Sequence, residues 1–472
     1  MDWRTVWARE WEELGVHIRD FAGLKVHFIG IGGVSMSGLA EILISRGYTV
    51  SGSDRSENAL TNKLRALGAE VHAGHSAGQE RGAALIVKNA AIPDDNPELA
   101  AARARGVPVM ERTELLGQIM GEYRTAVGVC GTHGKTTTTS MLTTILTLTG
   151  RDPTAHIGSE LALIGGTTRT GGHDFFVAES CEYKDGFLRL SPTVVVMLNI
   201  DADHLDYFRD IDHIEQSFAA FADRLPDDGL LIGNGDDARV RRIMAGCGRR
   251  WEAFGLGADS VWRAQDVAAD ANACACFTLR YPGGSVPIRL SVPGRHNVMN
   301  ALAALAAAAA CGVSPDEAAP TLAAYTGAAR RFEKIGERGG ARIYHDYAHH
   351  PTEVAATLAA ARQMNPARLL CVFQPHTYTR TRMLFDAFTH CFDDADQVVL
   401  LPIYAAREHD PGDISSQMLS DAIGGRPDGP SCRCAADFED AAQVIRGLMS
   451  PGDIVLTLGA GDIEALGRLI WE

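Results

Sequence analysis

The feature that most constrains the fold of this chain is a glycine-rich segment directly behind an apolar run. Residues 125–130 read Thr-Ala-Val-Gly-Val-Cys, and residues 131–137 read Gly-Thr-His-Gly-Lys-Thr-Thr. A buried strand, a glycine turn and Lys-Thr at a helix start form a phosphate cradle, because the free amides of the helix N-terminus point at the anion. The loop is therefore expected to hold the phosphates of a nucleotide through Gly131, Thr132, His133, Gly134, Lys135, Thr136 and Thr137.

Two side chains of this loop carry the prediction. Lys135 offers a point charge to the outer phosphates, and Thr136 offers a hydroxyl to Mg²⁺. The pattern departs from the usual nucleotide loop at its first glycine, where Val129 stands and Gly128 comes one residue too early. The alternative is a structural glycine turn with a surface lysine, which explains neither threonine after Lys135.

Composition limits the class of protein. At 472 residues the chain is too long for one core, so several α/β domains are expected. The formal charge of −15 argues against binding to nucleic acid or to an anionic membrane. The ten cysteines contain no Cys-x-x-Cys pair, no secretory signal precedes the first block, and no charge-free apolar stretch reaches membrane length. A cytoplasmic protein without membrane insertion is expected, while a monomer and a homodimer both stay open.

Alternating strand and helix patterns divide the chain into three blocks, each predicted to carry a parallel sheet. The predicted domains cover residues 1–122, 123–329 and 330–472, and the first begins with a short helical extension over residues 1–22. In that extension Trp3, Trp7 and Trp11 fall on one helical face and are expected to pack against the protein body. Residues 260–292 alternate apolar and polar side chains and predict antiparallel strands. The other predicted strands are 25–30, 48–52, 70–72, 84–87, 107–110, 175–179, 194–199, 342–346, 369–374, 398–402 and 454–458.

The first block opens with a glycine-rich turn behind a predicted strand. Residues 30–38 read Gly-Ile-Gly-Gly-Val-Ser-Met-Ser-Gly, and Asp54 follows about twenty residues later, as in a dinucleotide-binding fingerprint. Ser35 occupies the third glycine position, where a side chain would hinder close packing of helix on strand. A diphosphate cradle is predicted, and NAD binding or a tight turn without ligand are the alternatives.

Two acidic clusters follow predicted strands of the second block, where ligands bind in parallel sheets. Glu179-Ser-Cys-Glu182 follows one strand, and Asn199-Ile-Asp-Ala-Asp-His-Leu-Asp206 follows the next. Carboxylate oxygens suit Mg²⁺, and the imidazole of His204 takes a proton near neutral pH or binds a metal. Glu179 and His204 are therefore candidate metal-binding or catalytic residues. For either cluster considered alone, the alternative is an ordinary polar loop without a function.

Polar segments of the later chain are candidates for completing the site. Pro293-Gly-Arg-His-Asn297-Val-Met-Asn300 precedes an Ala-rich helix, where its amides either read a base edge or cap the helix. The third block supplies Arg330-Arg331, then His345-Asp-Tyr-Ala-His-His-Pro351, then Gln374-Pro-His-Thr-Tyr-Thr-Arg380. Each segment follows or ends a predicted strand, so its cations are placed to reach a phosphate loop in another domain. Ordinary surface arginines are the competing interpretation.

These motifs, in this order over nearly the whole chain, resemble the Mur ligase family. The resemblance is carried by Gly-Ile-Gly-Gly, Gly-Thr-His-Gly-Lys-Thr-Thr, Asp-His-Leu-Asp, Gly-Arg-His-Asn and Asp-Tyr-Ala-His-His-Pro. Within the family it is closest to the alanine-adding type, which Phe-Gln-Pro-His at 373–376 helps to discriminate. Later-acting members use a carbamylated lysine in the central domain, but this chain has no lysine from Asp185 to Glu333.

The resemblance implies a Rossmann-like N-terminal domain for a uridine nucleotide, a central ATPase-type domain and a Rossmann-like C-terminal domain that closes over the site. The implied reaction joins L-alanine to the lactyl carboxylate of UDP-N-acetylmuramate through an acyl phosphate, with ATP and Mg²⁺, in peptidoglycan precursor synthesis. Thr377 stands where many alanine-adding relatives carry arginine.

The resemblance also implies a role for each matching residue. Lys135 and Arg331 would hold phosphates, and Asn297, Asn300 and Asp346 would hold adenosine. Thr136 and Glu179 would hold Mg²⁺, and His204 would either bind a second metal or help to position and deprotonate the amine. Arg380 would bind the alanine carboxylate as a bidentate fork. The remaining predicted substrate-binding residues are Gly30, Gly32, Gly33, Ser35, Asp54, Glu182, Tyr347, His349 and His376.

Three rival functions stay open at this point. One is a recycling ligase of the same family that attaches a whole tripeptide to UDP-N-acetylmuramate. Another is an NAD-dependent oxidoreductase built on the unit from Gly30 to Asp54, which leaves Lys135 and the acidic clusters unexplained. The third is a nucleotide-gated binding protein without ligase activity.

Overall fold

The computed structural model describes residues 15–472 and shows three α/β domains, each built on one sheet. The predicted fold class is therefore confirmed. The predicted helical extension, with Trp3, Trp7 and Trp11, falls mostly on residues outside the described part. Its end forms a short 3₁₀ turn at Ile18–Phe21.

The first sheet is parallel throughout, and its strands alternate with helices. The strands are Lys25–Ile29 (β1), Thr49–Asp54 (β2), Glu70–Ala73 (β3), Leu85–Lys88 (β4) and Val109–Glu111 (β5). Their order is β3-β2-β1-β4-β5, so the turn behind β1 lies at the centre of the sheet. The helices are Val34–Ser45, Ala59–Ala66, Pro97–Ala104 and Arg112–Met120.

The central sheet has ten strands and includes the predicted nucleotide loop. The strands are Thr125–Cys130 (β6), Thr154–Leu161 (β7), Gly166–Arg169 (β8), Phe175–Glu179 (β9), Val194–Met197 (β10), Leu230–Asn234 (β11), Arg250–Gly255 (β12), Trp262–Ala269 (β13), Cys274–Tyr281 (β14) and Gly284–Pro293 (β15). They are arranged β15-β14-β13-β12-β11-β10-β6-β9-β7-β8. The main helices are Lys135–Leu148, Ile211–Ala222, Ala238–Gly246, His296–Ala310 and Pro315–Ala323.

The arrangement of this sheet places the predicted clusters together. β9, β6 and β10 are parallel neighbours, so the loops behind all three emerge at the same edge. β13, β14 and β15 pair antiparallel, as the alternating pattern predicts. Strands β7, β8, β11 and β12 are absent from the sequence prediction.

The third sheet carries the cation-rich segments. Its strands are Glu333–Arg338 (β16), Ala341–Asp346 (β17), Leu369–Phe373 (β18), Gln397–Leu400 (β19), Ser431–Cys434 (β20) and Ile454–Leu458 (β21), in the order β16-β17-β21-β18-β19-β20. Only the edge pair β16–β17 is antiparallel. The helices are Pro351–Arg362, Tyr378–Met383, Phe385–His390, Ser416–Gly424, Phe438–Leu448 and Glu464–Trp471.

The central core depends on small side chains that allow two helices to approach closely. The alanines of His296–Ala310 are buried from Ala301 to Ala308 and pack against the helix Lys135–Leu148 over the apolar strands β6 and β10. This packing brings the predicted base-reading segment beside the phosphate loop. Within residues 15–472, no helix combines the length and apolar character needed to cross a bilayer.

Candidate active site

The phosphate loop leaves β6 and enters its helix through a left-handed glycine. Gly134 has φ of 86°, and a Cβ there would lie 2.5 Å from Oδ1 of Asn300. Backbone conformation and close approach both require glycine. Asn300 in turn donates through Nδ2 to Oδ1 of Asn297 at 2.9 Å, so the two predicted adenosine-binding amides contact each other directly behind the loop.

Lys135 is held by a buried carboxylate. Its Nζ lies 2.9 Å from Oε2 and 3.0 Å from Oε1 of Glu182 and also donates to the carbonyls of Gly131 and Thr132. Burial lowers the pKa of Lys135, but the charge of Glu182 outweighs this and raises the pKa above its ordinary value. The ammonium is therefore charged and fixed at the mouth of the loop. Of the predicted substrate residues, Glu182 thus contacts the phosphate-loop lysine.

Thr136 and Glu179 form an oxygen-rich pair beside Lys135. The Thr136 hydroxyl donates to Oε2 of Glu179 at 3.1 Å, and Oε1 of Glu179 accepts from the Gly158 amide at 2.6 Å. Burial raises the pKa of the Glu179 carboxyl. Arg331, from the third block, reaches Thr136 with Nη2 at 3.4 Å. Glu179 and Arg331, from two other segments of the chain, thus both contact the hydroxyl of Thr136.

The segment behind β10 is fastened to the phosphate loop. Oδ1 of Asn199 accepts from the His133 amide at 2.8 Å, and its Nδ2 donates to the His133 carbonyl at 3.0 Å. The Thr132 hydroxyl accepts from the Asp201 amide at 2.9 Å. These bonds fix residues 199–201 against the glycine turn, and the same segment then continues toward His204.

A cavity of about 410 Å³ opens beside the phosphate loop, between the central and third domains. Predicted nucleotide-binding residues form much of its wall: His133, Gly134, Thr137, Asn297, Asn300, Arg331 and Asp346. Phe254, Val292 and Tyr325 add apolar surface. A mostly apolar cleft with a few fixed polar groups suits a nucleobase and ribose.

Asp346 faces this cavity from the end of β17. Its Oδ2 accepts from the Phe332 amide at 3.0 Å, and its Oδ1 accepts from the Ala348 amide at 2.9 Å. Burial nevertheless raises its pKa to about 6. The carboxyl therefore titrates within the range in which soluble proteins are commonly studied.

The titration of Asp346 gives a signed prediction for stability. An unfolded aspartate has a pKa of about 4, so between about pH 4 and 6 the folded protein holds a proton that the unfolded chain has lost. Its contribution to the free energy of unfolding falls as pH rises through that window, by about 2–3 kcal/mol in total. In urea unfolding, the free energy of unfolding of wild type minus that of Asp346→Asn should fall as pH rises from about 4 to 6. Equal slopes for both proteins would assign the titration to another group.

A second cavity, of about 340 Å³, lies on the other side of the segment behind β10. Asp203 and His204 line it from the central domain, and His376 and Arg380 line it from the third. Arg380 donates through Nη2 and Nε to Oδ1 of Asp203, at 2.9 and 3.1 Å. Burial raises the pKa of Asp203, but Arg380 outweighs it and holds the pKa well below its usual range. The predicted alanine-binding fork thus contacts a carboxylate of the central domain, and its role toward alanine stays a prediction.

Thr377 shapes the turn that presents this fork. It has φ of 67° and its hydroxyl accepts from the Arg380 amide at 3.4 Å, capping the helix Tyr378–Met383. Positive φ is costly for a β-branched residue, so the surrounding contacts hold this turn in place.

Two further predicted residues lie between these elements. The ring of Tyr347 lies beneath the guanidinium groups of Arg330 and Arg331, with distances to its centroid of 4.8 and 5.3 Å. The ring of His349 lies 5.8 Å from that of His376. Burial lowers the pKa of His349 to about 4 and that of His376 to about 3, so both are neutral near pH 7.

The predicted uridine-nucleotide residues lie at the end of β1. Oδ2 of Asp54 accepts from the Gly32 amide at 2.8 Å, so the carboxylate braces the turn Gly30–Gly33. The side chain of Ser35 does not obstruct packing; it contacts Nε2 of His156 in the central domain at 2.7 Å. Close packing occurs instead at Gly38, where a Cβ would lie 2.1 Å from the hydroxyl of Thr168.

The chain matches family models in all three domains. The models are described as "Mur ligase family, catalytic domain" for residues 25–124, "Mur ligase middle domain" for 129–308 and "Mur ligase, glutamate ligase domain" for 330–461. A UDP-N-acetylmuramate–L-alanine ligase of Acetivibrio thermocellus is 46% identical over 446 residues, which cover 94% of this chain and 95% of the relative. The chain belongs to the Mur ligase family.

Other comparisons agree with this membership. A UDP-N-acetylmuramate–L-alanine ligase of Clostridium beijerinckii is 45% identical over 94% of this chain and 96% of its own length. The crystal structure of a UDP-N-acetylmuramate–alanine ligase from Thermotoga maritima superposes with a TM-score of 0.78 at 27% identity, covering 95% of this chain and 98% of that one. The resemblance inferred from the motifs is confirmed.

The structure also places residues that the motifs did not single out beside the predicted ones. Arg112 donates through Nη1 to the Ser35 hydroxyl at 2.8 Å, and its position directly behind β5 follows the strand-end rule used for the other candidates. His350 and Glu353 cap the helix Pro351–Arg362 and face the phosphate loop; the sequence His-Pro-x-Glu is a visible capping signal. Asp203 lies inside a predicted cluster, but its pairing with Arg380 depends on domain contacts that no local pattern encodes.

Proposed function

We propose that this Mur ligase joins L-alanine to the lactyl carboxylate of UDP-N-acetylmuramate, using ATP and releasing ADP and phosphate. The observation that carries the proposal is the segment behind β10, which separates two cavities. Asn199, Ile200 and Asp201 line the nucleotide cavity, and Asp203 and His204 line the second one. A nucleotide in the first cavity and a second molecule in the other would therefore both contact residues of this one short loop. The substrates are inferred from the names of two similar proteins, both UDP-N-acetylmuramate–L-alanine ligases.

The phosphate loop would position the triphosphate for the first step. A carboxylate is a poor electrophile, so it is first phosphorylated to an acyl phosphate, and electrostatic stabilisation dominates such transfers. Lys135, fixed by Glu182, places a permanent positive charge at the loop mouth. Arg331 adds a second cation beside Thr136 from the third domain. Because that cation comes from another domain, the charge array is complete only when the domains meet.

The oxygen pair Thr136–Glu179 fits the Mg²⁺ that the family implies. A hydroxyl and a carboxylate oxygen 3.1 Å apart, next to the loop, match the hard-oxygen preference of Mg²⁺, which commonly uses one or two protein ligands plus phosphates. When bound, the ion would neutralise charge on the phosphates. His204 offers nitrogen and remains the candidate for a second metal or for handling the amine proton.

The second cavity would receive the amino acid. Here the uncharged amine attacks the acyl phosphate and phosphate leaves. Arg380 and neutral His376 contact each other, with Nη1 3.1 Å from Nδ1, so one face of the cavity combines a fixed cation with an uncharged imidazole. Such a face suits a carboxylate more than an amine. His204 also lines this cavity, from the central domain.

These placements support a proposed role for each domain. Residues 1–122 would bind the UDP-sugar, residues 123–329 the ATP, and residues 330–472 would supply amino-acid contacts and close the nucleotide cavity. Binding of the UDP-sugar at the Gly30–Gly33 turn is supported by its position at the carboxyl end of the central strand of a parallel sheet. Asp54 is engaged by the Gly32 amide, which counts against its use for a nicotinamide dinucleotide ribose.

Phosphate release tests the proposal directly. With ATP, Mg²⁺ and UDP-N-acetylmuramate, phosphate release should depend on L-alanine. It should remain at background when a tripeptide replaces L-alanine or when no amino acid is added. Mass spectrometry should show UDP-N-acetylmuramoyl-alanine as the product. Turnover with the tripeptide but not with alanine would identify a recycling ligase instead. ATP hydrolysis that ignores both acceptors would remove the ligase assignment.

A further inference from the structure

One polar cluster at the domain interface has no chemical step assigned to it in the proposed reaction, although His133 and Asp201 line the nucleotide cavity. It comprises His133 of the phosphate loop, Asp201 behind β10 and His350 at the start of the helix Pro351–Arg362. Nε2 of His133 lies 3.1 Å from Oδ2 of Asp201, and Nδ1 of His350 lies 3.9 Å from the same oxygen. All three ligand atoms are within 4.8 Å of one another. The cluster is distinct from Thr136, Glu179 and His204.

The outer nitrogen of each imidazole is held by an oxygen acceptor. Nδ1 of His133 lies 3.2 Å from Oε1 of Glu353, and Nε2 of His350 lies 3.0 Å from the carbonyl of Ala202. A carbonyl only accepts, so Nε2 of His350 carries the hydrogen and Nδ1 presents its lone pair. An outer oxygen that fixes tautomer and ring orientation is the usual support of a metal-binding histidine.

The spacing of the cluster fits a small tetrahedral cation. Zn²⁺ bonds of about 2.1 Å at tetrahedral angles place neighbouring ligand atoms roughly 3.4 Å apart. The two measured contacts, 3.1 and 3.9 Å, lie on either side of that value. The competing contact at Nδ1 of His350 is the Thr352 amide at 3.3 Å, which is long for such a bond. Small rotations of two side chains would complete the geometry.

We propose that His133, Asp201 and His350 form a binding site for a divalent transition-metal ion of the Zn²⁺ or Co²⁺ type. Two imidazole nitrogens and one carboxylate oxygen suit such ions better than Mg²⁺ or Ca²⁺, which prefer oxygen. The ion would take the place of the hydrogen that His133 shares with Asp201 in the metal-free protein. A fourth position stays open to water or to a nucleotide in the adjoining cavity.

The site has a structural consequence because its ligands come from two domains. His133 and Asp201 belong to the central domain and His350 to the third, so the ion binds only the arrangement in which these domains touch. Binding to one arrangement shifts the population toward it. The metal would therefore hold the third domain against the phosphate loop. This site does not depend on the ligase reaction.

Co²⁺ binding to the intact, metal-stripped protein without nucleotide tests the proposal. Equilibrium dialysis should give one tight Co²⁺ per chain, with the visible absorption of a low-coordinate nitrogen–oxygen site. His350→Gln and Asp201→Asn should each weaken binding by more than about 100-fold, and Glu353→Gln by about 10- to 100-fold, as expected for a residue behind a ligand. Circular dichroism and thermal unfolding should show that each variant is folded.

His213→Gln is the matched control, since it removes a histidine of the same domain that lies on the helix Ile211–Ala222, outside the cluster and outside the proposed reaction site. It should bind Co²⁺ as tightly as wild type. Absence of Co²⁺ binding to wild type overturns the proposal, and so does binding that survives both His350→Gln and Asp201→Asn. Sulfur charge-transfer absorption that persists in those variants would place the ion on cysteines and would equally overturn it. Loss of ligase activity alone bears on the proposed function and leaves this site unaffected.

Discussion

Replacement of Lys135 by alanine should lower kcat for phosphate release by about 10³-fold per folded molecule. The side chain is the fixed cation at the mouth of the phosphate loop, and no other lysine contacts this part of the described site. Steady-state assays with saturating ATP, UDP-N-acetylmuramate and L-alanine would measure the loss. A folded variant with near-normal turnover would contradict the phosphate-binding role.

The structure adds a stability effect to this variant. Glu182 is only 2% exposed at its side chain, so removal of Lys135 leaves a buried carboxylate without its partner. Breaking a buried pair in this way costs about 3–5 kcal/mol. The double variant Lys135→Ala/Glu182→Gln should recover much of the lost unfolding free energy and none of the lost turnover. Recovery of turnover in the double variant would mean that Glu182, not the missing ammonium, limits catalysis.

Replacement of Arg380 by lysine should raise the KM for L-alanine by about 10- to 100-fold, the effect of losing a charged hydrogen bond. Arg380 uses Nε and Nη2 for Asp203 and Nη1 for His376, and a single ammonium cannot reproduce this planar set. The guanidinium of Arg380 therefore holds the wall of the second cavity in place, whether or not it binds alanine directly. KM values for ATP should change much less.

Arg382→Lys provides a matched control on the same helix. Arg382 pairs with Asp413 at 2.9 Å, and both side chains are about half exposed. Exposed pairs contribute little, so alanine KM and unfolding free energy should stay near wild type. Equal effects of the two substitutions would show that helix Tyr378–Met383 tolerates lysine poorly in general. An unchanged alanine KM in Arg380→Lys would remove Arg380 from the amino-acid site.

Local patterns predicted much of the fold because its signals are short in range. The apolar run before Gly131, the alternation over residues 260–292 and the capping residues of helices are all encoded within a few positions. The phosphate-loop pattern then placed Lys135 at the phosphates, and the rule that ligands gather at the carboxyl ends of parallel strands made Glu179 a candidate for the same site. The place of Asp346 beside adenosine was implied by the family resemblance. The structure brings Lys135 and Glu179 to one sheet edge and Asp346 to the nucleotide cavity.

Contacts between domains were not predictable in this way. Asp203 lies 177 positions before Arg380 in sequence, and the pairing of the two follows from how the central and third sheets meet. The motif alone does not distinguish His350 from His349, because only the helix start decides which ring faces the phosphate loop. Similarly, Ser35 departs from the glycine fingerprint, and its contact is with His156 of another domain, which no local pattern encodes.

The sequence by itself determined three α/β domains, the phosphate loop and membership of the Mur ligase family, because strand, turn and helix signals act over neighbouring residues. Only the tertiary structure decided which charges are paired, which histidines are neutral and which loop separates the two cavities. These properties depend on burial and on distances between residues far apart in the chain. Both are set when the domains pack together.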